Sequence, residues 1–481
     1  MGVPIREAAR IVPSPRQLAW QELEFYAFIH FTVNTFTDRE WGLGDESPSL
    51  FDPREFDAMQ WAEVCRSAGM RGMILTCKHH DGFCLWPSAF TEHTVKNSPW
   101  RNGQGDLVRE VAEACQQTGL KFGIYVSPWD RHEPSYGDSP AYNAHFVRQL
   151  RELLTGYGEL FCVWFDGACG EGPNGKRQVY DWDAYYALIR EHQPNAVISV
   201  CGPDVRWCGN EAGQTRSSEW SVVPAAMRDN EKIQENSQRV DDGEFAKRIG
   251  SQDEDLGSRA VLAQEDEVVW YPSEVNTSIR PGWFYHDHED DRVKSVGELS
   301  DLYERIVGGN AAFLLNLPPD KRGLIHEVDA DRMRALGQWI RNAYGDNLAA
   351  AAQVRATCEN GPANRAANLT DGDPFTYWRT SEGVEQAELE IDLGAQRIFD
   401  RIVLAEYIRQ GQRIERFRLE RQREDGDWTT LYEGTVVGYK KICRFEEVAA
   451  RRIRLTIVES RWYPTLCSFE VYRTDSRVKP E

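Results

Sequence analysis

In the first two-thirds of the chain, up to about residue 318, short apolar runs alternate with amphipathic segments of helical period. This alternation is typical of parallel strands that are joined by helices. The early units repeat every 40 residues or so, about the spacing of a (β/α) barrel. The predicted strands are residues 25–31, 70–76, 121–126, 160–165, 196–200, 268–271 and 311–317, and the predicted helices between them include 57–68, 106–118, 141–157 and 183–191.

A different pattern follows the last long amphipathic segment, residues 328–344. From Val354 onward, apolar and polar residues alternate with a period of two, as is typical of antiparallel strands with one solvent-exposed face. The sequence therefore predicts an α/β protein of two domains, a (β/α) TIM-like barrel over residues 1–345 and an antiparallel β-sandwich over residues 346–481. The clearest alternating runs are residues 387–393, 414–419, 453–458 and 469–472.

Composition narrows the functional classes. The 481 residues include 56 Lys and Arg against 76 Asp and Glu, a net charge of −20 that disfavours nucleic acid and anionic membranes as partners. No run of 18 apolar residues occurs and the first 20 residues lack the apolar core of a signal peptide, so we expect a cytoplasmic protein. The 11 cysteines include no CxxC pair and are predicted to be reduced and mostly buried. No oligomeric state follows from these features.

Polar residues follow the carboxyl ends of most predicted strands. In a (β/α) barrel these ends open onto one face, where the active site lies. A single such residue could equally cap the next helix, but the set as a whole predicts a functional site. Its members are His30, His79, His80, Asp81, Ser127, Asp130, Asp166, Gly202, Glu274 and Asn276.

Two carboxylates stand out as candidates for sugar cleavage, which uses a pair of carboxyl groups. Asp166 follows the apolar run 161–165 and precedes Gly167, which allows a substrate to approach the backbone closely. We interpret Asp166 as the nucleophile. Glu211 lies in a glycine-flanked loop and is the first candidate for the second carboxyl. On spacing alone, Glu171, Glu219 and Glu274 remain alternatives to it.

Histidines and tryptophans support the same interpretation. A cation site needs three or four convergent ligands, and the neighbours His79 and His80 point to opposite sides of a strand. We therefore interpret the histidines as hydrogen-bond partners of sugar hydroxyls and expect no metal or other cofactor. Tryptophan faces can cover the CH side of a sugar ring. Those near strand ends are Trp41, Trp86, Trp129, Trp164, Trp207, Trp270 and Trp283.

Four motifs together resemble a known family. They are Phe-Ile-His-Phe at 28–31, the block 34–42 that ends in Glu40, Trp41 and Gly42, Lys-His-His-Asp-Gly-Phe at 78–83, and Val-Trp-Phe-Asp-Gly at 163–167. This combination resembles glycoside hydrolase family 29, the retaining α-L-fucosidases. The resemblance implies that Asp166 is the nucleophile and Glu211 the general acid/base. The fucose contacts it implies are His30, Glu40, Trp41, His79, His80, Tyr125 and Trp164, with Arg206, Trp270 and Trp283 as further ring or aglycone contacts.

The resemblance also implies a substrate class. Residues 209–213, Gly-Asn-Glu-Ala-Gly, resemble the acid/base loop of the subfamily that cleaves α-1,3- and α-1,4-linked fucose from branched Lewis-type glycans. The implied partners are fucosylated oligosaccharides, and the implied reaction is a double displacement that needs no cofactor. The segment around Asp371 and Trp378 resembles discoidin-like or carbohydrate-binding sandwiches, a likeness that does not by itself imply sugar binding.

Three questions stay open at this stage. A metal-dependent barrel hydrolase could use His79, His80, Asp166 and the tract 286–289 as ligands. A lectin-like protein without catalytic activity would also account for the sandwich. The acidic stretch 229–267 is interpreted as a solvated insertion, with a lid over the site as the alternative.

Overall fold

The computed structural model of the protein describes residues 2–230 and 255–474. The first ten strands are β1 (Phe25–Ile29), β2 (Gly72–Lys78), β3 (Lys121–Val126), β4 (Cys162–Phe165), β5 (Val197–Val200), β6 (Arg206–Trp207), β7 (Val222–Pro224), β8 (Val268–Trp270), β9 (Ser273–Ser278) and β10 (Ala312–Asn316). Eight of them form one parallel sheet in the order β5-β4-β3-β2-β1-β10-β9-β6. A parallel bridge between Ser199 and Val205 links its outer strands and closes the barrel.

Helices surround this sheet. The segment Leu107–Thr118 shows how the sequence specifies one: the Asp106 carboxylate accepts a hydrogen bond from the Arg109 N–H, and Gly119 ends the helix in the left-handed conformation. Its leucine and valine side chains are buried in the barrel core. The α-helices are Ile5–Ala8, Pro15–Gln21, Asn34–Thr37, Ala58–Ser67, Leu107–Thr118, Ser139–Gly156, Trp182–His192, Arg259–Leu262, Val296–Ile306 and Glu327–Ala343.

One predicted barrel strand was wrong. The run 268–271 contains β8, which pairs antiparallel with β7 in a separate two-stranded sheet. The barrel strand is β9, whose sequence Ser-Glu-Val-Asn-Thr-Ser is mostly polar yet fully buried. Its polar side chains are paired inside the barrel, where Glu274 accepts from Trp164 and Asn276 accepts from Trp207. Because these partners replace water, hydrophobic patterning does not reveal the strand.

The C-terminal region is an antiparallel β-sandwich, as the alternation predicts. Its strands are β11 (Gln353–Ala356), β12 (Trp378–Arg379), β13 (Ala387–Ala405), β14 (Ile414–Gln422), β15 (Trp428–Gly434), β16 (Lys441–Ser460), β17 (Thr465–Leu466) and β18 (Ser468–Tyr472). The main sheet has the order β11-β13-β16-β14-β15, with β18 paired to β13, while β12 pairs with β17. Alternate side chains such as Leu389, Ile391 and Leu455 form its core. The predicted fold class is therefore confirmed.

Charged residues join the barrel to the sandwich. Glu304, in the helix Val296–Ile306, is buried and pairs with Arg401 at 2.7 Å and with Arg444 at 3.2 Å. The fully buried Arg461 pairs with Glu415 at 3.2 Å and also donates to the backbone carbonyl of Gly257. These contacts place sandwich arginines directly against barrel acceptors.

Three smaller expectations can be compared with the structure. All 11 cysteines are free thiols and most are buried, as predicted. Within residues 2–230 and 255–474, no helix has both the length and the apolar character that a membrane span requires. Most of the acidic stretch, residues 231–254, lies outside the described residues, so neither interpretation of it is tested.

Candidate active site

A cavity of about 320 Å³ opens at the carboxyl ends of the barrel strands. Its volume lies in the range of small-molecule sites. It brings together ten of the twelve predicted site residues. The side chains that line it include Phe28, His30, Glu40, Trp41, His79, His80, Tyr125, Trp164, Asp166, Trp207, Glu211, Asn276, Trp283, His286, His288, Glu289 and Arg292.

Asp166 directly follows β4 and is held by two hydrogen bonds. The Tyr125 hydroxyl donates to Oδ2 at 2.8 Å, and the Ala168 N–H donates to Oδ1 at 2.8 Å. Burial and the nearby Asp166 charge raise the pKa of Tyr125 well above its usual value, so this hydroxyl keeps its proton and remains a donor. The carboxylate is thereby anchored on a strand end with part of its surface open to the cavity.

His30 is an uncharged wall of the cavity. Its Nδ1 lies 2.8 Å from Asn316 Oδ1, while the Asn316 amide nitrogen donates to Ser278 and to the Trp283 carbonyl. The acceptor oxygen of Asn316 therefore faces the ring, so Nδ1 carries the proton and Nε2 is left as an acceptor. Burial lowers the pKa of His30 to about 3, which keeps the ring neutral at neutral pH.

His79 and His80 are neutral for the same reason. Burial lowers the pKa of His80 to about 4 and that of His79 well below its usual value. His80 Nδ1 lies 2.7 Å from the Ser127 hydroxyl, which itself donates to the Trp129 carbonyl, so the ring donates through Nδ1. Its Nε2, 3.9 Å from Asp166 Oδ2, is an acceptor beside the carboxylate. A hydroxyl group between these two atoms could donate to either.

The Glu40 carboxylate connects the loop after β1 to the loop after β9 at the cavity. Its carboxylate accepts the backbone N–H groups of Trp283 at 2.8 Å and Phe284 at 3.0 Å. It also lies 2.8 Å from His286 Nε2. The Trp283 ring is tilted against His30, with the ring centroids 5.1 Å apart. These contacts fix the distance between the loop after β1 and the loop after β9.

Glu211 lies on a loop that Asn210 shapes. The Asn210 side-chain oxygen accepts the N–H groups of Ala212 and Gln214, both at 3.0 Å. Its amide nitrogen donates to the Gln214 carbonyl at 3.1 Å. One side chain thus satisfies three backbone groups of an irregular loop, and Glu211 is presented to the cavity from it.

The alternatives to Glu211 lie elsewhere. Glu274 is completely buried below the cavity, and burial raises its pKa to about 7. Glu219 is buried in an ion pair with Arg206. Glu171 is exposed and lies outside the cavity lining. Of the four candidates, Glu211 is the one that faces the cavity with Asp166.

The structure corrects two predicted sugar contacts. Arg206 is buried, and its guanidinium pairs with Glu219 and donates to the Trp220 carbonyl, so it points away from the cavity. Trp270 lies on β8, in the two-stranded sheet outside the barrel, and donates from its indole nitrogen to Gln21 at 3.0 Å. Neither residue lines the cavity: Arg206 lies on β6 with its side chain in the ion pair, and Trp270 lies on β8, which is not a barrel strand.

Several cavity residues were not predicted as site residues. Apart from Phe28 on β1, they come from the loop after β9, which the misplaced strand obscured. A usable signal was present, because the polar tract 286–290 follows β9 as other polar clusters follow their strands. The residues missed as sugar-site residues are Phe28, His286, His288, Glu289 and Arg292, of which those within 286–289 were considered only as metal ligands.

The ligand set that a metal-dependent hydrolase would need is not assembled here. Among the described residues, one set of three side chains brings potential ligand atoms within 4.8 Å, namely Asp38, His286 and His288. It includes neither His79, His80 nor Asp166. Both ring nitrogens of His286 already lie within hydrogen-bond distance of carboxylates, so we assign these side chains to an ion-pair network.

Known proteins are similar to this chain in sequence and in domain architecture. The α-L-fucosidase family profile matches residues 16–346, and the F5/8 type C domain profile matches residues 353–469. The chain is 38% identical to alpha-L-fucosidase 1 of Arabidopsis thaliana over 467 residues, which is 96% of this chain and 87% of that protein.

Two solved structures extend the comparison. A family 29 fucosidase of Ruminococcus gnavus in complex with fucose aligns with a TM-score of 0.84 and 33% identity, covering 97% of this chain and 96% of that one. A family 29 member from an unknown rumen bacterium has 40% identity and a TM-score of 0.78, covering 97% and 78% of the two chains. The protein is therefore a glycoside hydrolase, and the chain belongs to the α-L-fucosidase family, glycoside hydrolase family 29.

Proposed function

We propose that this α-L-fucosidase is a retaining exo-enzyme that releases terminal α-1,3- or α-1,4-linked L-fucose from branched Lewis-type glycans. In this proposal Asp166 is the nucleophile and Glu211 is the general acid/base. The observation that carries it is the strand-end carboxylate of Asp166, held by Tyr125 and Ala168, in a cavity that Glu211 also lines.

The reaction takes two steps. An Asp166 oxygen attacks the anomeric carbon while the bond to the aglycone oxygen breaks, and the Glu211 carboxylic acid gives its proton to that oxygen. A water molecule then attacks the anomeric carbon of the glycosyl-enzyme ester. Glu211 takes the water proton, and Asp166 leaves as a carboxylate. Two inversions at one carbon give net retention.

The rest of the cavity suits a neutral deoxy sugar. His30, His79 and His80 are uncharged and offer ring nitrogens to hydroxyl groups. Phe28, Trp164 and Trp283 supply apolar surface for the CH groups of the ring. The relative from Ruminococcus gnavus, whose structure contains fucose, supports the same assignment.

The nucleophile can be tested by removing it. We expect Asp166→Ala to lose at least about 1,000-fold in kcat, because the covalent step disappears. Azide can enter the vacated space, so added azide should restore turnover and give fucosyl azide of inverted configuration, measurable by NMR. A variant that keeps more than about a tenth of the wild-type kcat, a barrier change of only ~1.4 kcal/mol, would remove Asp166 from this role.

The linkage preference needs a substrate panel. Remote contacts to the branching galactose accelerate the reaction only if they are realised in the transition state. We expect Lewis-type trisaccharides to be cleaved at least about 10-fold faster than 4-nitrophenyl α-L-fucoside, even though nitrophenolate is the better leaving group. Efficient cleavage of the nitrophenyl substrate and of 2′-fucosyllactose, without any gain from the branch, would contradict the linkage and leave the fucosidase activity intact.

A further inference from the structure

His286 bridges two carboxylates at the edge of the cavity. Its Nδ1 lies 2.6 Å from Asp38 Oδ1, and its Nε2 lies 2.8 Å from Glu40 Oε1. Carboxylates accept hydrogen bonds, so both ring nitrogens must carry a proton for the bridge to be complete. The His286 side chain is only 9% exposed. The residue is therefore a buried cation held between two anions from another loop.

The bridge reaches the cavity through Glu40. The same carboxylate accepts the backbone N–H groups of Trp283 and Phe284. The Trp283 carbonyl in turn accepts from Asn316, the residue that orients His30. A continuous set of hydrogen bonds thus runs from His286 to both the Trp283 wall and the His30 wall of the cavity.

Other charged groups surround this bridge. Glu289, on the same loop, accepts the Gly282 N–H, and His288 is stacked obliquely 5.5 Å from the His286 ring. From the loop after β10, Lys321 pairs with Asp287 at 3.1 Å. Burial alone would lower the pKa of His286, but the hydrogen bonds to Glu40 and Asp38 outweigh it and raise this pKa to about 9.

We infer that His286 is a positioning residue for sugar binding, because its bridge between Asp38 and Glu40 fixes Glu40 and the Trp283 backbone at the cavity wall. The inference rests on the proposed function, in which Trp283 contacts the fucose; Glu40 is a fucose contact that the family resemblance implies. His286 acts through Glu40 rather than on the reacting atoms. Its contribution belongs to ground-state binding, so it affects the dissociation constant of fucose more than kcat.

The bridge has a defined pH range. A neutral imidazole carries one N–H and can donate to only one of the two carboxylates. The bridge is therefore complete below the pKa of His286 and is lost as the pH rises through about 9. Removing the charge of Asp38 removes one cause of that high value and brings the loss to lower pH.

Asp38 offers a mild way to test this. Its side chain is 56% exposed, and its backbone adopts the left-handed conformation with φ of 58°, which asparagine tolerates well. Asp38→Asn therefore removes the charge and leaves the fold intact. Asp291, an exposed acid on the same loop as His286, supplies the matched control Asp291→Asn.

The experiment measures binding of L-fucose, the product of the proposed reaction, by calorimetry from pH 6 to 10, with each change made in the full-length Asp166→Asn protein. We expect His286→Gln to weaken fucose binding at pH 7 about 10-fold and to abolish the alkaline loss of binding. Asp38→Asn should weaken it about 3-fold and move the alkaline loss at least about one pH unit lower. Asp291→Asn should bind like the Asp166→Asn protein.

Unchanged affinity and an unchanged alkaline profile in Asp38→Asn would overturn the inference, even if His286→Gln failed to fold. Equal weakening in Asp291→Asn would also overturn it, since the effect would then be a general one of loop charge. Absence of fucose binding in the Asp166→Asn protein itself would count against the proposed function, and the role of His286 in sugar binding would fall with it.

Discussion

The cavity has two walls that are built in different ways. The strand wall consists of His30, His79, His80, Tyr125 and Asp166, which lie on or directly after β1 to β4. The loop wall consists of Glu40, Glu211, Trp283, His286 and His288, which the connecting loops carry. Side chains of the strand wall are neutral except for Asp166, whereas the loop wall is rich in charge.

The two walls differ in how firmly they hold their side chains. Strands of a closed barrel cannot shift independently, so a carboxylate at a strand end keeps its position to within a fraction of an ångström. Loops depend on cross-contacts such as the one between Glu40 and His286, and single substitutions can change them. The comparison predicts large, uniform losses from changes in the strand wall and smaller losses from changes in the loop wall, which depend on the substrate where they affect the Glu211 loop.

The strand wall should be most sensitive at Tyr125. Tyr125→Phe removes the hydroxyl that donates to Asp166, and this donor is needed when Asp166 regains its charge in the second step of the proposed reaction. We expect kcat to fall about 100-fold on every fucoside, with little change in KM. Steady-state kinetics on several fucosides would measure this loss. Tyr185→Phe, which removes a buried hydroxyl bonded to Asn143, is the control. A loss in Tyr125→Phe that depended on the substrate would contradict the distinction between the two walls.

In the loop wall, a substitution at Asn210 should reduce activity by an amount that depends on the leaving group. Asn210→Ala frees the backbone groups that shape the Glu211 loop. Acid catalysis matters most for poor leaving groups, so kcat/KM should fall about 10-fold for a Lewis trisaccharide and less for the nitrophenyl fucoside. The measurement is kcat/KM of the variant and of the wild type on both substrates. Asn342→Ala, on the exposed side of a helix, is the control, and equal losses on both substrates would refute the prediction.

Low pH should reduce the stability of the folded protein through the neutral histidine His80 of the strand wall. Below about pH 6.5 an unfolded chain protonates its histidines, whereas native His80 stays neutral down to about pH 4. The contribution of His80 to the free energy of unfolding therefore decreases as the pH is lowered through this window. His80→Gln should lessen the drop in Tm between pH 6.5 and 4 by about 2 °C. The buried acids Asp81, Glu274 and Glu406, with pKa values raised to about 7, act in the opposite direction but are common to both proteins. Parallel melting curves would contradict the neutral histidine.

Chelation should affect neither wall. The proposed reaction needs two carboxyl groups and no cation. We therefore expect dialysis against EDTA to leave kcat and KM unchanged, measured on the same Lewis trisaccharide. Loss of activity that zinc or manganese restores would instead make the set of Asp38, His286 and His288 a working metal site.

The sequence predicted the strand wall better than the loop wall, and the reason is physical. Residues such as His30 and Asp166 follow apolar strands, so local pattern alone places them at the cavity. The strand β9 escaped prediction because its buried polar side chains find partners on other strands. Likewise, the contact between Glu40 and His286 joins residues 246 positions apart, which no local pattern can reveal. The prediction for Trp270 failed for the same reason, since its indole donates to Gln21, 249 positions away. Arg206 is held away from the cavity by its ion pair with the nearer Glu219.

The buried ion pairs between barrel and sandwich also limit how the protein can be rearranged. Glu304 and Arg461 are almost inaccessible to water, and each relies on a charge or carbonyl from the other domain. Deleting the sandwich would remove the arginine partners of Glu304 and would expose to water the barrel surface that the sandwich covers. Domain shuffling, in evolution or in the laboratory, would therefore have to transfer the barrel together with a sandwich that carries the matching arginines.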